Sequence, residues 1–441
     1  MTTSTLTTET SNRKLYNSII IILTCIVIVG IIVVKSRNFN DFSGDYFLIS
    51  YALLVTLFQT SRVVSALLYK YSNKGLLAPP SDWNANDTYE PIVTFVVPCK
   101  NEEGAIRNTV TKCLDANYPK DKIEVIVIND GSTDRTGEIL DEMKKELPER
   151  LTIIHWKKNR GKRHGMAEGF ARARGEIIVQ LDSDSYIMPD NFKKLIEPFR
   201  NESIGAVCAH ADPDNSDENM LTRMQAAYYF VSFRIMKAAE STYGLVFCCS
   251  GCCSAYRKTA VMPIMEQWLN EQFLGALVTW GDDRSLTSWV IRQGYKTIYT
   301  DQAKSVTIVP STLRQFIVQQ VRWKKSWIIN AFFTGRFIIK KEPFIALLYY
   351  YPLILISILT PFMAARALVY MPFTIGVAST LYYLLGIALV TSLFILVYRA
   401  IAPENKYWPY MYAWSGFSTF FLTFLIFYAA ATLQNRGWGT R

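Results

Sequence analysis

Ile92-Val-Thr-Phe-Val-Val-Pro98 and Ile123-Glu-Val-Ile-Val-Ile128, the second running straight into Asn129-Asp130-Gly131-Ser132-Thr133-Asp134, decide how this chain folds. Each is a short apolar run rich in β-branched residues and closed by turn formers, the pattern of a strand buried on both faces. Between them, Glu102 to Ala116 reads as a helix. Beyond them the pattern predicts a strand from Leu151 to His155, a helix from Lys162 to Ala173 and a strand from Glu176 to Leu181. Strands alternating with helices of this length predict an α/β domain with a mostly parallel sheet and helices on both faces. In such sheets ligands bind at the carboxyl ends of the strands. Asp130 and the pair Asp182 and Asp184 stand at those ends.

The flanking sequence is of another kind. Half of the 441 residues are hydrophobic and 14% are aromatic, but unevenly placed. Ser18 to Val34 is about one bilayer crossing long at roughly 1.5 Å per residue, and a second apolar stretch runs from Tyr46 to Tyr69. A cleaved signal peptide is the rival reading, but the run is long for one and no small-x-small cleavage site follows. Three more apolar stretches follow Lys341: Phe344 to Val369, Phe373 to Val397 and Trp408 to Leu433. The expected organisation is a tail (1–17), two transmembrane helices (18–70), a linker (71–90), a cytosolic α/β domain (91–310), an amphipathic interface helix (311–341), a transmembrane or re-entrant region (342–433) and a terminal segment (434–441).

A net charge of +10 admits nucleic acid, a membrane surface or an anionic ligand. The basic residues gather beside apolar segments, as at Lys70, Lys74, Lys340, Lys341 and Arg399, which is the positive-inside pattern. No nucleic-acid partner is therefore expected; the lipid bilayer is. Arg62, inside the second span, is expected to snorkel to the interface. Seven of the eight cysteines fall in the soluble insert, where a reducing cytosol leaves thiols free. Cys248-Cys249-Ser250-Gly251-Cys252-Cys253 is a single cluster without the second ligand pair that structural zinc needs, and reads as a tight apolar loop lining a pocket.

Five groups of residues carry chemistry. Asp130-Gly131-Ser132 is ordinary turn chemistry by itself. Asp182-Ser183-Asp184 offers hard oxygen ligands that suit Mg²⁺ or Mn²⁺ beside a diphosphate, or else a solvated turn. Lys162 and Arg163 add cations to a helix start that already favours anions. Asp282 and Asp283 open another helix, where adjacent carboxylates point different ways, so that one of them can face a substrate. A carboxylate shielded from water becomes more basic, which suits a general base; a plain N-terminal cap is the alternative. Leu313 to Phe337 has the periodicity of an interface helix. There Arg322 offers a fork of donors for a diphosphate and Trp323 a flat face for a sugar ring.

Taken in order, Asp130-Gly131-Ser132, Asp182-Ser183-Asp184, Gly281-Asp282-Asp283, Gln319-x-x-Arg322-Trp323 and the terminal Trp438-Gly439-Thr440-Arg441 resemble the processive family 2 glycosyltransferases. Within them the chain is similar to the hyaluronan and chitin-type synthases, from about Val93 to Arg441. Asn159 to His164 and Phe273 to Gly275 look like hyaluronan synthases too. The resemblance implies a GT-A fold and inverting transfer from UDP-sugar donors to a growing polysaccharide. It implies that Asp130 and Lys162 hold the nucleotide, with Asp182 beside it and Asp184 on the metal. Asp283 is then the base, Gln319 and Arg322 hold the diphosphate, and Trp323 stacks on the acceptor. Ser250, Cys252, Arg257 and Asp282 belong to the acceptor side, while Trp438 and Arg441 close over the nucleotide. The implied enzyme is a hyaluronan synthase-like hexosyltransferase of the plasma membrane, with a monomer as the default.

Two departures put the acceptor sugar in doubt. Cys252-Cys253 stand where hyaluronan synthases usually carry Pro-Leu, and Ile329-Asn330 stand where they tend to carry Arg-Glu. A chitin-type N-acetylglucosaminyltransferase or another uronic-acid capsule synthase is the runner-up. A single-transfer enzyme acting on a polyprenyl phosphate, or a transporter or scaffold, fits less of the sequence. Five crossings would part Trp438 from Asp283, so one stretch is expected not to cross. Trp408 to Leu433, with Pro409, Ser415, Gly416 and Ser418, is that stretch.

Overall fold

The computed structural model describes residues 3–39, 45–77 and 88–435. Helices α1 (Thr3–Arg37) and α2 (Tyr46–Leu77) come first. The α/β unit then runs β1 (Val93–Cys99), α3 (Ile106–Leu114), β2 (Ile123–Asp130), α4 (Thr136–Glu146), β3 (Leu151–Trp156), α5 (Lys162–Arg172), β4 (Ile177–Gln180) and β5 (Ser185–Ile187). It continues with β6 (Ile204–Pro213), α6 (Met220–Phe230), β7 (Ser254–Arg257), α7 (Asp282–Arg292) and β8 (Lys296–Thr307). Helices α8 (Leu313–Lys341), α9 (Tyr351–Ala365), α10 (Val377–Ile401), α11 (Tyr410–Phe420) and α12 (Leu425–Ala431) follow.

The eight-stranded sheet has the order β3-β2-β1-β4-β7-β6-β8-β5. The first four strands are mutually parallel, as the alternation predicts. Strand β7 runs antiparallel to both β4 and β6, and β5 antiparallel to β8, so the sheet is mixed but mostly parallel. Both faces are covered. Val96, Ile126 and Ile128 pack with Met166 and Phe170 of α5 on one side. Val93, Phe95, Val97, Val125 and Val127 pack with Ile106 and Val110 of α3 and Leu140 of α4 on the other. Every residue of β1 and β2 is buried, so these strands read as continuous apolar runs rather than as an alternation.

Among the described residues four segments are long and apolar enough to cross a membrane: Lys14–Arg37, Tyr46–Leu77, Pro343–Thr374 and Val377–Ile401. The chain is a multi-pass membrane protein. The stretch from Trp408 to Leu433 is not one straight helix; Tyr410–Phe420 and Leu422–Ala431 are bent by 44° at a break. Arg62 corrects the expectation of snorkelling. It is 5% exposed, with its guanidinium 5.5 Å from the Phe58 ring and 5.8 Å from the Tyr349 ring. Tyr349, from the segment after α8, packs against it. Lys70, toward the C-terminal end of α2, pairs with Asp301 of β8 at 2.8 Å, and Asp301 also takes Arg234 at 2.6 Å. Arg234 belongs to a π-helical turn, Val231–Lys237, that prolongs α6.

Candidate active site

At the carboxyl ends of β1, β2 and β4 lies a cleft of about 1720 Å³, roofed by α7 and α8. Asp130 ends β2 and is 4% exposed. Its two carboxylate oxygens accept the backbone N–H groups of Arg160 (2.6 Å) and Gly161 (2.9 Å), so it fixes the loop that leads into α5. Lys162, the first residue of α5, reaches Asp182 Oδ1 in a short ion pair. Burial alone would lower the Lys162 pKa, but Asp182, Asp282 and Asp283 together raise it. Gln180 Nε2 donates to the same Asp182 oxygen at 3.2 Å, and Asp184 accepts from Ser185 Oγ at 3.1 Å.

Asp283 faces the cleft from the start of α7. Its Oδ2 accepts the backbone N–H of Gly251 at 3.2 Å and lies 3.7 Å from the Cys248 thiol. The carbonyl of Gly251 accepts the N–H of Asp182 at 2.9 Å. One glycine therefore joins the Asp283 carboxylate to the backbone of Asp182 at the end of β4. A Cβ on it would stand 2.7 Å from Asp182 Oδ1, so a larger residue would push that carboxylate out of place. The Cys248 and Cys252 thiols are both pushed up to about 12, first by burial and then by Asp283 and Asp182 respectively, and stay protonated near neutrality.

Asp282 turns the other way, as the helix start requires. It is 4% exposed and accepts from Arg163 Nε at 3.1 Å, while Arg163 Nη1 reaches Glu271 at 3.2 Å and the Trp268 carbonyl at 2.9 Å. Lying 119 residues apart in sequence, Arg163 and Asp282 bind α5 to α7. Gly281 precedes them at φ +71°, and a Cβ there would lie 1.8 Å from Ser326 Oγ of α8. That close approach sets the acidic helix start against Arg322. The Arg322 pKa is lowered by burial, against the pull of Asp182, Asp282 and Asp283. Trp323 leaves 38% of its surface exposed, and Gln319 Oε1 is buried with no hydrogen bond among the described residues.

The structure thus brings Asp130, Lys162, Asp182, Asp184, Ser250, Cys252, Asp282, Asp283, Gln319, Arg322 and Trp323 to one cleft. Arg257 is not among them. It sits at the far end of β7, where its guanidinium caps the carbonyls of Phe199, Asn201 and Ile204. Trp438 and Arg441 lie outside the described residues. The last described residue, Asn435, takes a hydrogen bond at 3.4 Å from Lys325, whose ammonium covers the Trp280 ring. Of the two departures, the first puts Cys252 in the cleft lining; in the second, Ile329 packs on Trp280 and Val278, and Asn330 accepts from Ser288 of α7. Ile329 and Asn330 thus tie α8 to α7 and to the segment before it, outside the cleft lining. Sequence reasoning missed the Arg163–Asp282–Glu271 cluster and the Gly251 bridge, because each joins partners with no local pattern between them.

Among the described residues no group of three or more His, Cys, Asp or Glu side chains is set to hold a metal. A Mg²⁺ or Mn²⁺ ion fits here only with one or two carboxylates, Asp184 first, and with substrate oxygens completing its shell.

A family model described as glycosyl transferase family 2 matches residues 94–264. The chain is 34% identical over 314 residues to a hyaluronan synthase of Streptococcus pyogenes serotype M6, covering 68% of this chain and 73% of that one. It is 29% identical over 280 residues to an N-acetylglucosaminyltransferase of Mesorhizobium japonicum, covering 63% of this chain and 64%, just under two thirds, of that one. A solved mannosyltransferase from Pyrobaculum calidifontis, in complex with GDP-Man and Mn²⁺, matches 88% of this chain and 100% of its own, with a TM-score of 0.55 and 20% identity. At that identity the likeness speaks for the fold alone.

Proposed function

Because the chain belongs to the family 2 glycosyltransferases, we propose that it is a processive, membrane-integrated polysaccharide synthase. It adds sugars from UDP-sugar donors, with inversion, to a β-linked chain and passes that chain through its own channel. Hyaluronan, made from UDP-GlcNAc and UDP-GlcA, is the favoured product. One observation carries this reading: the cleft that holds the donor-side carboxylates, Asp283 and Trp323 runs on to Ser357 and Thr360 of the third apolar segment and to Thr423 and Ile426 of the bent one. A single-transfer enzyme has no use for such a continuation.

In this reading Asp130, Lys162 and Asp182 hold the nucleotide, and Gln319 and Arg322 hold its diphosphate. A divalent cation beside Asp184 would neutralise diphosphate charge. Trp323 stacks on the terminal acceptor sugar. Asp283 takes the proton of the acceptor hydroxyl while that oxygen bonds the anomeric carbon from the face opposite the leaving group. The bond from that carbon to UDP breaks, and UDP departs with its electron pair. Trp438 and Arg441 close over the nucleotide from a terminus that begins beside Trp280. The α/β domain faces the cytosol of a plasma-membrane protein, and the bent stretch does not cross the bilayer.

The second reading, a chitin-type polymer of N-acetylglucosamine, is favoured by Cys252 in the cleft and by the rhizobial relative. UDP release by the purified protein with Mn²⁺ separates the two, given UDP-GlcNAc, UDP-GlcA, or both. Polymer only with both donors, digestible by hyaluronidase, supports hyaluronan. Polymer from UDP-GlcNAc alone replaces that reading with the second.

A further inference from the structure

Most deeply set cations of the cleft are answered by an acid. Lys162 pairs with Asp182 and Arg163 with Asp282. Lys237 and Arg284 feel Glu240, and Arg322 feels Asp182, Asp282 and Asp283. Lys324, two residues after Arg322 and lining the same cleft, has no such partner among the described residues. Burial alone acts on its ammonium and brings its pKa down to about 8. The three carboxylates that act on Arg322 do not act on Lys324.

Gln320 stands one helical turn before Lys324, on the same face of α8. It is 8% exposed, lines the cleft, and its Nε2 donor has no acceptor among the described residues. Buried donors without acceptors are penalised until an anionic oxygen reaches them. Trp323 lies between the two in sequence and opens its ring to the same cleft. We infer that Gln320 and Lys324 form a subsite for the carboxylate of an acidic sugar in the acceptor chain, the class to which uronic acids belong. This rests on the synthase reading and narrows it to polymers that carry carboxylates.

The test is binding of two oligosaccharides to the purified full-length protein: a hyaluronan hexasaccharide, which is acidic, and chitohexaose, which is neutral. The acidic one binds more tightly to the wild type. Lys324→Met and Gln320→Glu each weaken it about tenfold, the scale of a lost charge-assisted hydrogen bond, and move the neutral one by less than about twofold. Lys324→Arg restores the preference. Equal weakening of both ligands, or weakening of UDP in place of the acidic oligosaccharide, overturns the subsite. A wild type that makes polymer yet binds both alike also overturns it, and leaves the synthase reading standing. One that binds neither and makes no polymer overturns both.

Discussion

Gly281→Ala is the smallest change that separates the acidic helix from the clamp helix. The new methyl would sit 1.8 Å from Ser326 Oγ and 2.5 Å from its Cβ. Restoring ordinary contact at roughly 3.5 Å requires α7 and α8 to part by about 1.5 Å at that point. The left-handed backbone at φ +71° adds a further cost of about 1–2 kcal/mol for any residue with a Cβ. Overpacking of this kind costs about 1–3 kcal/mol in stability. A displacement of about 1 Å between reacting groups costs about a hundredfold in rate. The expected result is a folded protein with at least about a hundredfold slower UDP release in the polymerising assay. Binding of UDP should weaken less than the rate falls, because Asp130, Lys162 and Asp182 are not on the moved surface, although Gln319 and Arg322 of α8 are. Gly281→Ala combined with Ser326→Gly removes the clashing atoms and should recover most of the loss. Full activity in the single variant would refute the claim that this contact sets Asp283 against Arg322. Failure of the pair to recover while still binding UDP would refute the steric explanation.

Three further outcomes are expected. Asp283→Asn abolishes polymer while UDP-sugar affinity survives; continued synthesis would remove Asp283 from the role of base. Arg163→Met strands Asp282 and Glu271 as buried, unpaired carboxylates and destabilises the protein by about 3–5 kcal/mol, which lowers the melting temperature in detergent; an unshifted melt would contradict the buried network. Lys324 is charged below its pKa of about 8 and neutral above it. Preference for the acidic oligosaccharide should therefore fade as pH rises through about 8 and persist in Lys324→Arg, whose charge survives to about pH 12. A flat profile in the wild type would exclude Lys324 from that contact.

The sequence announces what is local. The runs at Val93–Cys99 and Ile123–Asp130 are apolar throughout, and the carboxylates that end the parallel strands could be placed at the strand ends by counting. The helix from Leu313 is legible because its apolar residues recur with helical spacing, although it starts at a Thr312 cap that this pattern does not include and runs four residues further than the periodicity predicts. What could not be read depends on partners far apart. Arg257 looks like part of the cysteine loop by position, yet its strand carries it to the opposite end of the sheet. Arg62 looks free to snorkel until Tyr349, 287 positions later, is packed over it. Asp130 reads as a ligand-binding acid, and only the fold reveals that two backbone N–H groups already occupy its oxygens.

The peptide unit at Gly251 has a meaning for how this enzyme could be altered. Its N–H is held by Asp283 and its carbonyl by the N–H of Asp182. One residue and two hydrogen bonds thus span the Asp283 carboxylate and the Asp182 main chain, as a gauge block sets the gap between two jaws. Breeding new sugar preferences by remodelling the whole loop would disturb that gap first. Ser250 and Cys252, on either side of the fixed residue and both open to the cleft, are where variation can be introduced while the gap keeps its calibration.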